Sequence, residues 1–339
     1  MRRAFGAFVA LLFLTSLLLT GCRKAEEPVR MTRTVEAAQP QGTAQVEKTS
    51  EMPIPPETPV PAQTAQMTGG RIPVSTGEDG VIHVLVIGNS LSYAWQDELS
   101  EMLRAADRDI VFYAAYKGGT TLSQHWEWIQ NDEPEYRLRC YANRHALNEN
   151  GVTLEYCLDK TEWDAISIQE AFVPLGEQDY DEAAVMRETR KLAAKIYKYI
   201  RSRCPKATLL WHQTWALEVG EDRGHYYLST ADEQKRMDRT IHRVGKKVVE
   251  DNEAFLIPTG TAVRIARKNG SDDLSRGDGC HDGTESGGQY LNACVWFECI
   301  TGESCVGNTW RPEKYTLTEE RIALLQNAAH QAVEEWMGP

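Results

Sequence analysis

One short apolar run constrains the fold of this chain more than any other feature. Residues Val81 to Ile87 form a nearly continuous apolar stretch, and it ends abruptly in Gly88-Asn89-Ser90. An apolar run of this length that stops at a turn signal is typical of a strand buried on both faces of a parallel sheet. We therefore expect a sheet that helices cover on both sides.

Strand and helix patterns alternate along the rest of the chain. Further apolar runs predict strands at 109–115, 164–168, 207–211 and 254–257. The spacing of apolar residues predicts helices at about 97–106, 181–203, 231–250, 285–300 and 318–336. This alternation specifies an α/β fold of three layers with a parallel five-stranded sheet. In such sheets the functional loops gather at the carboxyl ends of the strands.

The N-terminus has the pattern of an export signal. Residues 1–21 have two arginines directly after the initial methionine, continue with an apolar run and end in Leu19-Thr20-Gly21 before Cys22. Leu-Thr-Gly-Cys resembles the bacterial lipoprotein signal, which implies lipidation of Cys22. Acyl chains there would anchor the exported protein to a bacterial membrane, on its periplasmic or cell-surface face. The alternative is an ordinary signal peptide followed by an incidental cysteine.

Residues 22–80 differ sharply in composition from the chain that follows. Eight of the fourteen prolines lie in this stretch, and it contains no Trp, Tyr or Phe. A segment without large apolar side chains cannot offset the entropy lost on ordering, so we expect a disordered tether. One domain, residues 81–339, remains.

The net charge of the chain excludes one class of binding partner. The net charge of −12 argues against a nucleic-acid-binding protein, because no basic domain is available to neutralise phosphates.

Seven cysteines follow Cys22, so at least one thiol is unpaired even if disulfides form. Cys140–Cys157 is the most plausible pair and Cys299–Cys305 the second. No C-x-x-C spacing is present, and we expect no metal site.

Three short motifs contain residue types suited to catalysis. Ser90 follows the first strand, where a helix N-terminus favours developing negative charge; alternatively it only caps the turn. Asp278 and His281 are three residues apart, as an imidazole base and its orienting carboxylate could be, or they form a surface turn. Gly119 lies in a Gly-Gly turn whose N–H groups could reach an oxyanion, or it simply allows the turn.

These motifs, taken in order, resemble the SGNH (GDSL-like) hydrolases and, more specifically, the bacterial branch labelled DUF4886. The phrases that carry the resemblance are Val-Ile-Gly-Asn-Ser-Leu-Ser, Gly-Gly-Thr-Thr-Leu-Ser-Gln-His-Trp, Trp-Asp-Ala-Ile-Ser-Ile-Gln, His-Gln-Thr-Trp-Ala, Ile-Pro-Thr-Gly-Thr-Ala and Asp-Gly-Cys-His. They extend over about residues 81–304.

The resemblance implies a flavodoxin-like fold and ester hydrolysis through an acyl-enzyme. By position, Ser90 is the nucleophile, His281 the general base and Asp278 its orienting partner. The backbone N–H groups of Ser90 and Gly119 contribute to the oxyanion hole. The superfamily usually adds an asparagine from a Gly-x-Asn-Asp block, which this chain lacks; Gln169 stands in about the same place. Loss of one oxyanion donor costs about 3–4 kcal/mol of transition-state stabilisation.

Aromatic residues near the expected rim suggest a carbohydrate substrate. His125, Trp126, His212 and Trp215 are candidates for contact with a sugar ring, although ordinary core packing is the alternative and is favoured for Trp211. The sequence thus predicts an extracytoplasmic serine esterase, a carbohydrate acetylesterase that needs no cofactor and acts on an acylated glycan. Two alternatives stay open: a non-catalytic glycan-binding lipoprotein and a glycan O-acyltransferase.

Overall fold

The computed structural model describes most of the C-terminal three-quarters of the chain. The described residues are 72–74, 79–140, 147–171, 180–220, 228–271, 273–274 and 286–337, and all of them belong to one compact unit, residues 59–339. The predicted signal, Cys22, most of the predicted tether, Asp278 and His281 lie outside the described residues.

A seven-stranded sheet forms the centre of the domain. Its strands are β1 Ile82–Gly88, β2 Ile110–Tyr116, β3 Tyr136–Cys140, β4 Asn148–Val152, β5 Ala165–Ile168, β6 Thr208–His212 and β7 Phe255–Ile257. The order across the sheet is β4-β3-β2-β1-β5-β6-β7. The five strands β2, β1, β5, β6 and β7 run parallel, in the order found in flavodoxin-like sheets.

The predicted α/β class is confirmed, but the predicted count of five strands is wrong. Each of the five expected strands is present with ends within one residue of the prediction. The two additional strands, β3 and β4, form an antiparallel hairpin on the β2 edge. The sequence of β4 is Asn-Glu-Asn-Gly-Val, and residues of this kind have little preference for strands, so no apolar pattern indicated it.

Helices cover both faces of the sheet. They are α1 Gln96–Ala105, α2 Leu122–Asn131, α3 Leu154–Leu158, α4 Glu182–Arg203, α5 Ala231–Asn252, α6 Thr259–Lys268, α7 Gly288–Thr301 and α8 Glu319–Met337. Because side chains alternate along a strand, Val84 and Val86 face α1, α6, α7 and α8, whereas Leu85 and Ile87 face α2 to α5. None of the helices in the described ranges combines the length and the apolar character needed to cross a bilayer.

Three residues of the segment predicted as a tether pack on the folded domain. Ile72 is completely buried and Val74 is 7% exposed. The backbone N–H of Ile72 donates to the carbonyl oxygen of Cys299 at 3.1 Å, and the Thr208 hydroxyl donates to the carbonyl of Pro73 at 2.8 Å. The folded part of the chain therefore includes residues before Val81.

The predicted disulfides are wrong, because Cys140, Cys157, Cys299 and Cys305 are all present as thiols. Each is buried and packs as a small, mainly apolar side chain. Burial raises the pKa of Cys157 to about 12, so this thiol stays protonated. The Cys305 thiol donates to the carbonyl oxygen of Gln326 at 3.4 Å.

Candidate active site

Ser90 begins a short 3₁₀ turn, Ser90–Ser92, at the carboxyl end of β1. The preceding Asn89 is buried and caps this turn: its side-chain oxygen accepts the N–H of Leu91 at 2.9 Å. Its side-chain NH₂ donates to the carbonyl oxygen of Thr120 at 2.8 Å. One asparagine therefore fixes the turn that carries Ser90 and ties it to the loop after β2. Ser90 itself is half-buried.

Gly119 lies in that loop, next to Thr120. Its φ is +69°, which a residue with a side chain rarely adopts, and it is exposed. The Thr120 hydroxyl donates to the carbonyl of Lys117 at 2.8 Å, and the Lys117 N–H donates to the carbonyl of Gly88 at 3.1 Å. These bonds hold the glycine loop against the end of β1.

Gln169 is the first residue after β5, the strand beside β1. In a doubly wound sheet, the gap between these two strands is where the chain changes sides and where ligands bind. Gln169 is 1% exposed, and neither polar atom of its amide has a hydrogen-bond partner among the described residues. A Cβ on Gly88 would lie 3.0 Å from its Nε2, so the amide packs on the end of β1.

Buried polar contacts connect the carboxyl ends of β5, β6 and β7. Glu170 accepts the N–H of Leu122 at 3.3 Å through its carboxylate, and its backbone carbonyl accepts the Thr214 hydroxyl at 3.0 Å. The side-chain oxygen of Gln213 accepts both the N–H and the hydroxyl of Thr261, each at 2.9 Å. Five of the six sequence segments that carry the family resemblance thus meet at one edge of the sheet, and hydrogen bonds connect them there.

His212 lies beneath the site; its Nδ1 has a protein partner, whereas its Nε2 has none among the described residues. Its Nδ1 is 3.0 Å from the Ser92 hydroxyl oxygen, and its ring packs among Trp95, Trp215 and Trp296. Burial lowers the pKa of His212 to about 3, so the imidazole is neutral near pH 7. Trp215 is also buried, and Trp211 is in the core as predicted. His212 and Trp215 therefore support the site from below.

His125 and Trp126 lie on α2. His125 is buried, with Nδ1 2.7 Å from the Tyr136 hydroxyl and its ring stacked on the tyrosine. Burial lowers its pKa to about 3. Trp126 is half-buried, and the Lys195 ammonium lies 5.0 Å from its ring centre. His125 is therefore held against Tyr136 with its Nε2 unpaired among the described residues, and Trp126 keeps part of its surface exposed.

The described residues bring Ser90, Gly119 and Gln169 to one edge of the sheet. Sequence reasoning missed that Asn89 and Ser92 connect the Ser90 turn to the neighbouring loop and to His212. Asparagine side chains often bond the backbone two residues further on, in an Asx turn, so Asn89 could have been recognised. It also missed Glu170 and Thr214, which no local pattern distinguishes. Within the described ranges no three His, Cys, Asp or Glu side chains are grouped so that they could hold a metal ion.

Comparison of this chain with known proteins assigns it to a family. A family model described as a domain of unknown function, DUF4886, matches residues 83–332. A crystal structure of a DUF4886 family protein from Bacteroides uniformis is 30% identical, covers 75% of this chain and 95% of its own, and has a TM-score of 0.64.

Two enzymes align at lower scores. A GDSL-like lipase from Bacteroides thetaiotaomicron is 11% identical over 77% of this chain and 92% of its own, with a TM-score of 0.35. A family two carbohydrate esterase from Cellvibrio japonicus is 12% identical over 52% of this chain and 51% of its own, with a TM-score of 0.30. Structural similarities this weak support no conclusion about the activity of this chain. No functionally curated protein matches it.

Proposed function

This chain belongs to the DUF4886 family, and from that premise we propose that it is a serine esterase that removes acetyl groups from a glycan. The observation that carries the proposal is the Gln169 amide, buried without a described partner beside the turn of Ser90. Leaving a buried polar group unsatisfied costs about 1–3 kcal/mol, so the amide would stabilise a ligand or water atom placed beside it.

In the proposed reaction, the Ser90 hydroxyl attacks the carbonyl carbon of the ester. His281 takes the hydroxyl proton, and Asp278 orients its imidazole; both lie outside the described residues and enter by resemblance to the SGNH hydrolases. The oxyanion receives hydrogen bonds from the N–H groups of Ser90 and Gly119 and from the Gln169 NH₂.

Collapse of this intermediate breaks the bond to the sugar oxygen, which leaves as the alcohol with the proton from His281. Water, deprotonated by the same histidine, then attacks the acetyl-serine and releases acetate. Apart from this water, the chemistry uses side chains and backbone groups of the chain itself. A sugar hydroxyl that replaced the water would make the protein an O-acyltransferase.

The test is hydrolysis of 4-nitrophenyl acetate and of longer acyl esters by protein that begins after Cys22. Ser90→Ala should abolish turnover, whereas Ser202→Ala, the same change on the exposed end of α4, should leave it unchanged. Gln169→Ala should lower kcat by about 10²–10³-fold, as removal of one oxyanion donor does. Hydrolysis by Ser90→Ala at the wild-type rate would refute the proposal.

Two results would favour the alternatives instead. Binding of an acetylated glycan without turnover, and without acylation by a serine-directed organophosphonate, would indicate a glycan-binding protein. Transfer of acetyl to an added sugar in preference to water would indicate an acyltransferase.

We also propose that the protein is exported and lipidated on Cys22, which would place the esterase at a bacterial membrane surface. The support is the sequence of residues 1–22. Incorporation of labelled fatty acid into the wild type but not into Cys22→Ser tests it; equal incorporation, or none in either, would contradict it.

A further inference from the structure

Glu170 places a buried carboxylate directly after Gln169, at the carboxyl end of β5. The residue is 8% exposed. Its Oε2 accepts the N–H of Leu122 at 3.3 Å, and its Oε1 accepts the N–H of Ala171 at 2.7 Å. A carboxylate is costly to bury unless it is hydrogen-bonded, and here both oxygens accept a bond. The proposed reaction gives this side chain no role.

Leu122 is the first residue of α2, so its N–H has no acceptor within the helix. The first turn of α2 contains no acidic residue of its own. Glu170 therefore supplies, from the end of β5, the negative charge that a helix N-terminus favours. The bond between them joins α2 to the strand that precedes Gln169.

The glycine loop, residues 117–121, leads from β2 into α2 and contains Gly119. Hydrogen bonds to the backbone of Gly88 and to the side chain of Asn89 fix this loop to the end of β1. The bond from Leu122 to Glu170 fixes the far end of the loop to β5. The loop is thus held between the two strands that carry the other proposed oxyanion donors.

We propose that Glu170 is a positioning residue that sets the distance between two oxyanion donors, the Gly119 N–H and the Gln169 NH₂. This assignment rests on the proposed esterase function. Gly119 lies three residues before Leu122, and Gln169 lies one residue before Glu170, so a shift at their bond moves one donor relative to the other. Oxyanion donors act at about 2.7–3.1 Å, and a misplacement of about 1 Å can cost about 10²-fold in rate.

Glu170→Gln tests the assignment, because it keeps the size of the side chain but removes its charge and one acceptor. With 4-nitrophenyl acetate, kcat should fall by about tenfold to a hundredfold and KM should stay the same, since the donors act on the transition state. Glu127→Gln, at an exposed position of α2, is the matched control and should change neither constant.

A double-mutant cycle separates positioning from general support of the fold. In a Gln169→Ala background, Glu170→Gln should lower kcat by a smaller factor than in the wild type, because one of the two donors is already absent. Equal factors in the two backgrounds would show that Glu170 acts independently of Gln169.

Amide hydrogen exchange, read by NMR, measures the bond itself without catalysis. The Leu122 N–H should exchange about tenfold faster or more in Glu170→Gln than in the wild type, as expected for loss of a hydrogen bond to a charged group. If the variant does not fold, the wild type alone is informative, because its Leu122 N–H should be protected from exchange.

Three results would overturn the positioning role while leaving a Ser90-dependent esterase intact. They are an unchanged kcat in Glu170→Gln, equal losses with and without Gln169, and a Leu122 N–H that exchanges in the wild type as fast as an unbonded amide. Hydrolysis that survives Ser90→Ala would instead refute the esterase.

Discussion

Gly260 lies in the first turn of α6, close to the backbone that follows β6. A Cβ at this position would lie 2.1 Å from the carbonyl oxygen of Thr214, a contact that backbone cannot relieve by changing a rotamer. We expect Gly260→Ala to lower the free energy of unfolding by about 1–3 kcal/mol or more. Urea unfolding of the purified protein measures this.

The control for this prediction is Gly245→Ala, inside α5. There a Cβ would meet its nearest atom, in the Leu256 side chain, at an ordinary contact distance of 3.4 Å. Alanine is the better helix former, so the same change should be neutral or stabilise by up to about 1 kcal/mol. Equal losses in the two variants would contradict the steric explanation.

His125 and His212 make the domain sensitive to acid. Each has a pKa of about 3 in the folded state because of burial, against 6.5 in the unfolded chain. Below pH 6.5 the unfolded state therefore binds protons that the folded state does not. The free energy of unfolding falls as the pH drops toward 3, by about 2 kcal/mol for each histidine at pH 5.

His125→Gln tests this dependence, because glutamine does not titrate and can still bond the Tyr136 hydroxyl. We expect the loss of unfolding free energy between pH 7 and pH 5 to be about 2 kcal/mol smaller in the variant than in the wild type. Parallel pH profiles for the two proteins would show that His125 does not have the assigned pKa.

Between elements, Glu98 of α1 meets the segment before α8. It is buried, and the Tyr315 hydroxyl donates to its carboxyl group at 2.6 Å. Burial raises the pKa of Glu98 from 4.5 to about 7. The folded state therefore holds this proton more tightly than the unfolded state. The resulting stabilisation is complete below pH 4.5 and is lost as the pH rises through 7.

Glu98→Gln should remove this pH dependence while keeping an acceptor for Tyr315. Relative to the wild type, the variant should gain about 2 kcal/mol of unfolding free energy between pH 5 and pH 8. Thermal unfolding at both pH values, with the half-buried Glu101→Gln on the same helix as the control, gives the comparison. A difference between variant and wild type that does not change with pH would refute the assigned pKa.

Elements with a strong apolar period could be predicted from the sequence, and those without one could not. The ends of α4 and α5 were predicted to within two residues, because a long amphipathic pattern and a capping residue agree there. α2 was missed although Thr121 and Gln124 form a capping box at its start. β4 gave no signal, because it is stabilised by pairing with β3 rather than by apolar burial.

At the scale of the whole molecule, Ile72 connects the chain before β1 to the core. Its side chain is completely buried within the cluster under α7 and α8. We expect Ile72→Ala to lower the free energy of unfolding by about 2–5 kcal/mol, through lost burial and the cavity left behind. Val306→Ala, at a position that is 43% exposed, should change it by less than about 0.5 kcal/mol. A small loss in Ile72→Ala would show that this contact does not hold in solution.

The position of the candidate site was predictable, but the partners of its residues were not. Ser90, Gly119 and Gln169 lie one to three residues after the ends of their strands, so the parallel sheet alone brings them to one edge. His125 is buried against Tyr136, and His212 is buried against Trp296. No sequence pattern indicated either of these contacts.

The contacts of residues 72–74 also fix the end of the sheet at which the preceding chain joins the domain. Thr208, which binds Pro73, is the first residue of β6, so the chain enters the domain at the amino ends of the parallel strands. Ser90 lies at the carboxyl end of β1, on the opposite pole. A force applied through the N-terminal segment would therefore act on the end of the sheet opposite Ser90. A domain held in flow by that side would turn the Ser90 pole downstream, away from its point of attachment.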